Sequence, residues 1–314
     1  MEADLRDRTA LDQLLPLGAG RMLGYAEYGS PRGQPIFYFH GWPGSRLEGE
    51  LLHEAGLELG ARIIAVDRPG YGLSTFVPHR KLAAWPRDIH LLANALKIGR
   101  FSVLGISGGG PYALACAALL EHRVARAAVV CGVGPLTHAD STLGMQRARQ
   151  LACGLLRQSP SMISRPLSYT VLRGLRTRPA TLIDAMARTL PPADRAALEA
   201  PEIRALLAAS FGEALRQGVR GPAQDLRIYF APWGFDLLET DTAIAFWHGE
   251  QDVIIPPGMS RRLAALAPRC ESSYYPDDGH YSLPIDKRVD VLRWLLTPGD
   301  TRQPIPGESA FGRR

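Results

Sequence analysis

Short apolar runs alternate with stretches of helical spacing along most of the chain. The runs Pro35 to His40, Arg62 to Val66 and Arg100 to Leu104 are typical of buried strands. Between them, apolar residues recur every three or four positions, as at Leu82, Trp85, Ile89, Leu92 and Leu96. Strands that alternate with helices predict the α/β class, with a mainly parallel, doubly wound sheet covered on both faces.

This alternation stops after the strand predicted at Ala127 to Cys131. From Gly134 to Trp233 the chain is rich in Arg, Ala and Leu, has helical spacing and is punctuated by prolines. The alternation resumes with a strand at Ala243 to Trp247. We therefore predict a core formed by residues 1–133 and 234–314, and an inserted, mostly helical cap over residues 134–233.

One turn between a strand and a helix carries a serine between glycines, Gly105-Ile106-Ser107-Gly108-Gly109. A nucleophile elbow needs small residues two positions to either side of the nucleophile, and Gly105 and Gly109 meet that need. Such a turn presents the Ser107 hydroxyl at a helix N-terminus, where backbone N–H groups can stabilise a developing oxyanion. This pattern indicates acyl-transfer chemistry.

The same turn also fits a second pattern. Gly108, Gly110 and Ala113 match the dinucleotide-binding fingerprint, which expects an acidic residue at the end of the next strand. Here that strand leads into Gly132 to Pro135, and the first carboxylate after it is Asp140. The turn by itself favours a nucleophile but leaves a nucleotide loop and a plain tight turn open.

A serine nucleophile needs a base, and the base needs a carboxylate that holds its imidazole in one tautomer. His280 and Asp252 each follow a predicted buried strand, and the order Ser, Asp, His is the one expected for this elbow. We predict Ser107 as the nucleophile, His280 as the base and Asp252 as the orienting acid. Three nearby carboxylates are alternatives for the acid, although each is most simply a solvated turn residue: Glu250, Asp277 and Asp278.

Composition and charge narrow the possible partners. The 314 residues are 46% hydrophobic and 21% charged, which is enough to form a large core. The net charge of +5 comes from scattered residues, so we expect no nucleic-acid partner. The N-terminus is charged and the apolar patch Leu14 to Leu17 is too short for a signal core or a membrane span, so we expect a cytoplasmic protein without a membrane partner.

The cysteines and histidines predict neither disulfides nor a metal. The four cysteines lack C-x-x-C spacing, and we expect them to be reduced and structural. No pair among the eight histidines has ligand spacing with a third partner, so we expect no metal ion and no other cofactor. The expected partner is a small-molecule substrate, and the oligomeric state stays open.

From about Gly24 to Leu296 the chain resembles the α/β-hydrolase fold family, and the insertion falls where that family carries its cap. Four motifs besides the elbow support the resemblance. His40-Gly41-Trp42-Pro43-Gly44 is similar to the family's oxyanion loop, and Asp67 to Ser74 is similar to the turn after its fourth strand. Gly249 to Asp252 is similar to its acid turn, and Asp278-Gly279-His280 is similar to its base turn.

The resemblance implies the same triad and adds an oxyanion hole formed by the backbone N–H groups of Trp42 and Gly108. Pro43 has no N–H to donate, which favours Trp42 on physical grounds. The Trp42 side chain either lines the acyl pocket or simply packs. The residues expected to support the elbow and the loop are His40, Gly41, Gly105 and Gly109.

The family carries several chemistries, and the nucleophile selects among them. Epoxide hydrolases and haloalkane dehalogenases of this fold use an aspartate at the elbow, and Ser107 argues against both. We predict a serine hydrolase that cleaves a small or medium carboxylic ester or lactone through an acyl-enzyme. The alternatives are an acyltransferase or C–C bond hydrolase on the same triad, or a ligand receptor with slow turnover.

Overall fold

The computed structural model describes residues 11–137, 139–158 and 172–297. Its strands form one eight-stranded sheet, in the order β1-β2-β4-β3-β5-β6-β7-β8. Their bounds are β1 Gln13–Gly18, β2 Arg21–Gly29, β3 Gln34–Phe39, β4 Ala61–Val66, β5 Phe101–Ile106, β6 Val124–Val130, β7 Ala243–Gly249 and β8 Cys270–Tyr275.

The sheet confirms the predicted fold class. Strand β2 is antiparallel to both of its neighbours, β1 and β4, whereas all pairs from β4 to β8 are parallel. Predicted strand ends differ from the observed ones by a few residues. The strand predicted at Ala127 to Cys131, for example, begins at Val124 and ends at Val130.

Helices lie on both faces of this sheet and in the segment between β6 and β7. The α-helices, numbered along the chain, are α1 His53–Leu59, α2 Trp85–Ala95, α3 Gly110–Leu119, α4 Arg147–Gln158, α5 Pro179–Ala187, α6 Pro192–Glu199, α7 Pro201–Ala214, α8 Arg220–Tyr229, α9 Pro257–Ala264, α10 Ser282–Asp286 and α11 Arg288–Leu296. Short 3₁₀ helices occur at Arg46–Leu52, Leu82–Ala84, Ser107–Gly109 and Ala139–Thr142.

The stretch predicted as one helical face from Leu82 to Leu96 begins with a 3₁₀ turn. The α-helix starts only at Trp85, with Pro86 in its first turn. Proline fits there because the first-turn N–H groups have no partner within the helix. The side chains still share one face, since Leu82, Ile89 and Leu92 belong to one core cluster.

The core has two halves, one on each face of the sheet. Along β3, Phe37 and Phe39 pack into the larger cluster, whereas Ile36 and Tyr38 pack into the smaller one on the opposite face. Side chains alternate between faces along a strand, so a strand covered on both sides is apolar at nearly every position. This explains why the central strands are continuous apolar runs.

The predicted insertion, residues 134–233, lies between β6 and β7, and its described part contains helices α4 to α8 and no strand. Its last helix is not separate from the core, because Ile228 and Tyr229 of α8 join the larger core cluster. The division into core and cap therefore stays a prediction. Within the described ranges, no helix has the length and apolarity needed to cross a membrane.

Candidate active site

Ser107 occupies a strained turn between β5 and α3. Its φ of 53° is in the left-handed region, which is costly for a residue with a side chain. A Cβ on Gly105 would lie 2.4 Å from the carbonyl oxygen of Gly109, and one on Gly109 would lie 2.0 Å from that of Phe39. Both positions therefore require glycine for the strand and the helix to approach.

Three side chains from separate strand ends meet at this turn. The Oγ of Ser107 lies 3.0 Å from Nε2 of His280, which follows β8. The Nδ1 of the same ring lies 2.7 Å from Oδ2 of Asp252, which follows β7. The structure thus brings together the three side chains predicted as nucleophile, base and acid.

Asp252 is held by its own turn as well as by the histidine. Its side chain is fully buried, and Oδ1 accepts the backbone N–H groups of Ile254 and Ile255, both at 2.8 Å. Burial raises the pKa of this carboxyl, but His280, the nearby His248 and the hydrogen bonds outweigh it and hold the pKa below its ordinary value. An ionised Asp252 directs Nδ1–H of His280 towards itself and leaves Nε2 free to accept a proton.

The three carboxylates considered as alternative acids form no described hydrogen bond with the His280 ring. Glu250 forms an ion pair with Arg261. Asp277 is exposed, and partial burial raises the pKa of Asp278. Across the described residues, Asp252 is the one carboxylate that is hydrogen-bonded to the imidazole of His280.

The loop predicted to supply the oxyanion hole lies against the elbow. A Cβ on Gly108 would lie 3.1 Å from the backbone nitrogen of Trp42, and one on Gly41 would lie 3.7 Å from Cβ of Ser107. In the described part of the chain, no hydrogen-bond acceptor is found for the Trp42 N–H. That donor is available for an oxyanion formed next to Ser107.

Glu48 braces this loop and was not among the residues predicted for the site. Its Oε2 accepts the N–H of Gly41 at 2.8 Å and the hydroxyl of Tyr38 at 3.0 Å, and burial raises its pKa. The spacing Ser45-Arg46-Leu47-Glu48 fits a capping box, which would direct this carboxyl to its own helix start. The side chain contacts the oxyanion loop instead.

His40 and Arg68 support the loop from the other side. His40 Nδ1 donates to the carbonyl of Gly41 at 2.9 Å, and Nε2 accepts the backbone N–H of Arg68 at 3.3 Å. Burial and the charge of Arg68 hold the pKa of His40 well below its ordinary value. The neutral ring can therefore donate at one nitrogen and accept at the other.

Helix α8 contacts both parts of the predicted oxyanion hole. The indole N–H of Trp42 donates to the carbonyl of Pro222 at 2.9 Å. The hydroxyl of Tyr229 donates to the carbonyl of Gly108 at 2.9 Å. This helix of the predicted cap therefore helps to fix the loop and the elbow relative to each other.

Two cavities of unequal size flank Ser107 and His280. One has a volume of about 80 Å³ and is lined in part by Glu48 and Leu51. The other, of about 600 Å³, is mostly apolar and is lined by residues of α4, α5, α7 and α8. A volume of this size is typical of a small-molecule site.

Arg149 is the one Lys or Arg side chain that lines the large cavity, whose described lining contains no carboxylate. Its Nε donates to Oε1 of Gln146 at 3.1 Å. Its terminal nitrogens have no hydrogen-bond partner in the described ranges. Among the described lining residues, this cavity thus has one Lys or Arg side chain with unused donors on a mostly apolar wall.

The site also contains three groups that could in principle ligate a metal. Single donor atoms of Cys131, Asp252 and His280 lie within 4.8 Å of one another. Burial and the adjacent Asp252 raise the pKa of the Cys131 thiol well above its usual range, so it is not a thiolate. Asp252 and His280 are already bonded to each other, and this donor set fits proton transfer rather than metal binding.

Comparison with known proteins agrees with the fold. The sequence model of a family described as "alpha/beta hydrolase fold" matches residues 34–153. A serine hydrolase-like protein of Danio rerio is 32% identical over 120 residues, which are 37% of this chain and 36% of that protein. The chain therefore matches only about a third of that relative's length.

Solved structures match over most of the chain. An esterase from Exiguobacterium antarcticum has a TM-score of 0.64 at 20% identity and covers 91% of this chain and 98% of its own. An enzyme described as degrading N-acyl homoserine lactones has a TM-score of 0.63 at 20% identity, with coverage of 90% and 100%. At this identity the likeness shows the fold alone.

Proposed function

This chain belongs to the α/β-hydrolase fold family, and we propose that it is a serine hydrolase that cleaves carboxylic esters or lactones through an acyl-enzyme. The observation that carries the proposal is the continuous chain of hydrogen bonds from Ser107 Oγ through His280 to Asp252, at 3.0 and 2.7 Å. A hydroxyl placed on a strained turn next to an oriented imidazole is an activated nucleophile.

The reaction takes place in two halves. The oxygen of Ser107 attacks the carbonyl carbon while its proton moves to Nε2 of His280, and Asp252 stabilises the resulting imidazolium. The N–H groups of Trp42 and Gly108 stabilise the oxyanion. His280 then gives the proton to the leaving alcohol, and water repeats the sequence to release the acid and restore the serine.

The cavities suggest the shape of the substrate. The small cavity beside Glu48 fits one short arm of an ester, and the large cavity fits a bulky apolar arm. Arg149 lies on the wall of the large cavity, where an unpaired charge is costly unless water or a ligand satisfies it. We therefore expect esters whose apolar arm ends in a carboxylate to be preferred over neutral esters of the same length.

The test is a panel of p-nitrophenyl esters of increasing acyl length, together with lactones, measured on the wild-type protein and on Ser107→Ala. The variant should lose turnover by about 10⁴- to 10⁶-fold and should no longer be labelled by a fluorophosphonate, because triad members act as a unit. Ser272→Ala, which changes an exposed serine on β8, is the matched control.

A Ser107→Ala variant that keeps most of its turnover would overturn the nucleophile assignment. Products formed in the presence of an added alcohol or thiol separate a hydrolase from an acyltransferase. A protein that binds these esters tightly but turns them over very slowly would instead support the receptor alternative.

A further inference from the structure

A carboxylate of the predicted cap contacts the segment that carries His280. Asp194 lies in the first turn of α6, and its side chain is completely buried. Its two oxygens accept three consecutive backbone N–H groups, those of His280 at 2.9 Å, Tyr281 at 2.8 Å and Ser282 at 3.0 Å. One side chain from a distant part of the sequence therefore holds the whole segment.

The segment is shaped to admit this carboxylate. A Cβ on Gly279 would lie 2.4 Å from Oδ2 of Asp194, so only glycine allows the approach. The hydroxyl of Ser282 lies 3.3 Å from Oδ1 of the same carboxylate and accepts the N–H of Gly279 at 2.8 Å. Both ends of the turn around His280 are thus tied to one anion.

No Lys or Arg in the described ranges forms an ion pair with Asp194. Its buried charge depends on the backbone N–H groups, and hydrogen bonds to a charged acceptor are the stronger kind. Conversely, withdrawal of α6 would leave three N–H groups without this acceptor. The buried carboxylate and the three N–H groups therefore each lose their hydrogen-bond partner if the contact is broken.

We propose that Asp194 is a positioning residue that couples the cap to the base of the triad. While α6 is docked, Asp194 holds the His280 segment so that the ring reaches both Ser107 and Asp252. When α6 moves away, the segment loses its three anchors and the ring is no longer held at bonding distance from the serine. This inference rests on the proposed function, because it assigns the cap a part in assembling that triad.

The experiment compares Asp194→Asn with the wild-type protein by the rate of labelling with a fluorophosphonate, well below the melting temperature of both. An Asn has one acceptor oxygen in place of two, so the segment is held less firmly. We expect the labelling rate and kcat to fall by ~10- to 100-fold, because displacing a catalytic group by about 1 Å lowers the rate by about this factor. KM should stay within about 2-fold of the wild-type value. In the proton NMR spectrum, the low-field resonance of the hydrogen bond between His280 and Asp252 should broaden or shift.

Asp184→Asn on the neighbouring helix α5 is the matched control, because Asp184 is half exposed and pairs with Arg204 rather than with the active site. It should leave the labelling rate and the resonance unchanged. A merely structural Asp194 would lower the melting temperature of Asp194→Asn and leave both readouts unchanged, which would overturn the proposal.

If Asp194→Asn does not fold, Leu198→Ala gives a second test. Leu198 is fully buried on the same helix, so this change loosens the docking of α6 and keeps the carboxylate. It should slow labelling, and an unchanged rate in a folded variant would overturn the proposal. A wild-type protein that is not labelled at all would instead refute the proposed function.

Discussion

Helices α8 and α6 both lie between β6 and β7, and each sends one buried aspartate to the core. Asp225 of α8 forms ion pairs with two arginines, whereas every described partner of Asp194 of α6 is a hydrogen-bond donor of the His280 segment. A carboxylate paired with buried cations holds its helix in place, because separating opposite charges away from solvent costs free energy. A carboxylate on backbone N–H groups binds one particular loop conformation.

The Asp225 site is a dense ionic cluster. Its Oδ2 accepts Nε of Arg68 and the hydroxyl of Tyr71, both at 2.7 Å, and its Oδ1 accepts from Arg80 and, at 2.6 Å, from the hydroxyl of Tyr112. The Arg68 guanidinium also lies 4.9 Å and 4.8 Å from the ring centres of Tyr71 and Tyr112. This cluster makes α8 part of the core that supports the oxyanion loop.

The difference assigns the two helices different tasks. Losing the Asp225 contacts should cost stability first, since Arg68 and Arg80 are both buried. Losing the Asp194 contacts should cost activity first, since they hold the segment of His280. The predicted cap is therefore not one uniform lid, because α8 acts on the oxyanion side of the site and α6 on the base side.

Asp225→Asn should produce the largest loss of stability. It leaves two buried arginines without a countercharge, and breaking a buried ion pair by removing one partner costs about 3–5 kcal/mol. The free energy of unfolding from urea titration measures this loss. Asp184→Asn, at a half-exposed ion pair, should change it by less than about 1 kcal/mol, and a similarly small change in Asp225→Asn would contradict the anchoring role.

The same carboxylate predicts a pH dependence of stability. Burial raises the pKa of Asp225, but Arg80 and Arg68 outweigh it and lower the pKa from 3.8 to about 2. The stabilisation is therefore fully present above about pH 4 and is lost as the pH falls from about 4 to about 2. It amounts to about 2 kcal/mol.

The free energy of unfolding, measured at about pH 5 and at about pH 3, gives the stabilisation that depends on the ionised Asp225. The wild-type protein should lose stability more steeply on acidification than Asp225→Asn, so the difference between the two proteins should narrow. Parallel curves for the two proteins would show that another group carries the acid sensitivity.

How much of the molecule could be predicted from the sequence depends on how local each constraint is. The strands and the elbow were predicted because their requirements act on neighbouring positions, such as glycines two residues on either side of Ser107. His280 and Asp252 were predicted to lie near Ser107 because each follows a strand, and parallel strands end at the same edge of the sheet.

The bracing carboxylates could not be found in this way. Asp194 is an acidic residue in the first turn of a helix, where the helix dipole alone explains it. Asp225 and Glu48 contact partners that are remote in the sequence or on the far side of a loop. No local spacing distinguishes such a residue from a solvated surface charge.

A smaller effect is expected at Arg149 of helix α4, which lines the large cavity and concerns substrate preference. A carboxylate-ended ester should be preferred over a neutral ester of equal length by about 10-fold in kcat/KM, the size of one hydrogen bond between charged groups. Arg149→Leu should abolish this preference, and Arg147→Leu, at an exposed position on the same helix, should retain it. A wild-type enzyme that prefers the neutral ester would refute this role of Arg149.

The smallest expected effect is that of Trp42→Phe, which tests how α8 is held. The change removes the indole N–H that donates to Pro222 and part of the ring that lines the two cavities, and it keeps the backbone N–H proposed for the oxyanion. The loss of one neutral hydrogen bond should cost about 1 kcal/mol of stability, well below the cost of Asp225→Asn. A larger loss than that of Asp225→Asn would mean that the indole, rather than the ionic cluster, anchors α8.

Activity of the same variant separates the two parts of Trp42. Its side chain lines both cavities, so a long ester should lose kcat/KM while a short one stays within about 3-fold of the wild-type value. The chemical step survives for the short ester because the backbone donor is unchanged. An equal loss on both esters would show instead that the indole fixes the position of the oxyanion loop, and the link from Trp42 to α8 would then belong to the catalytic geometry itself.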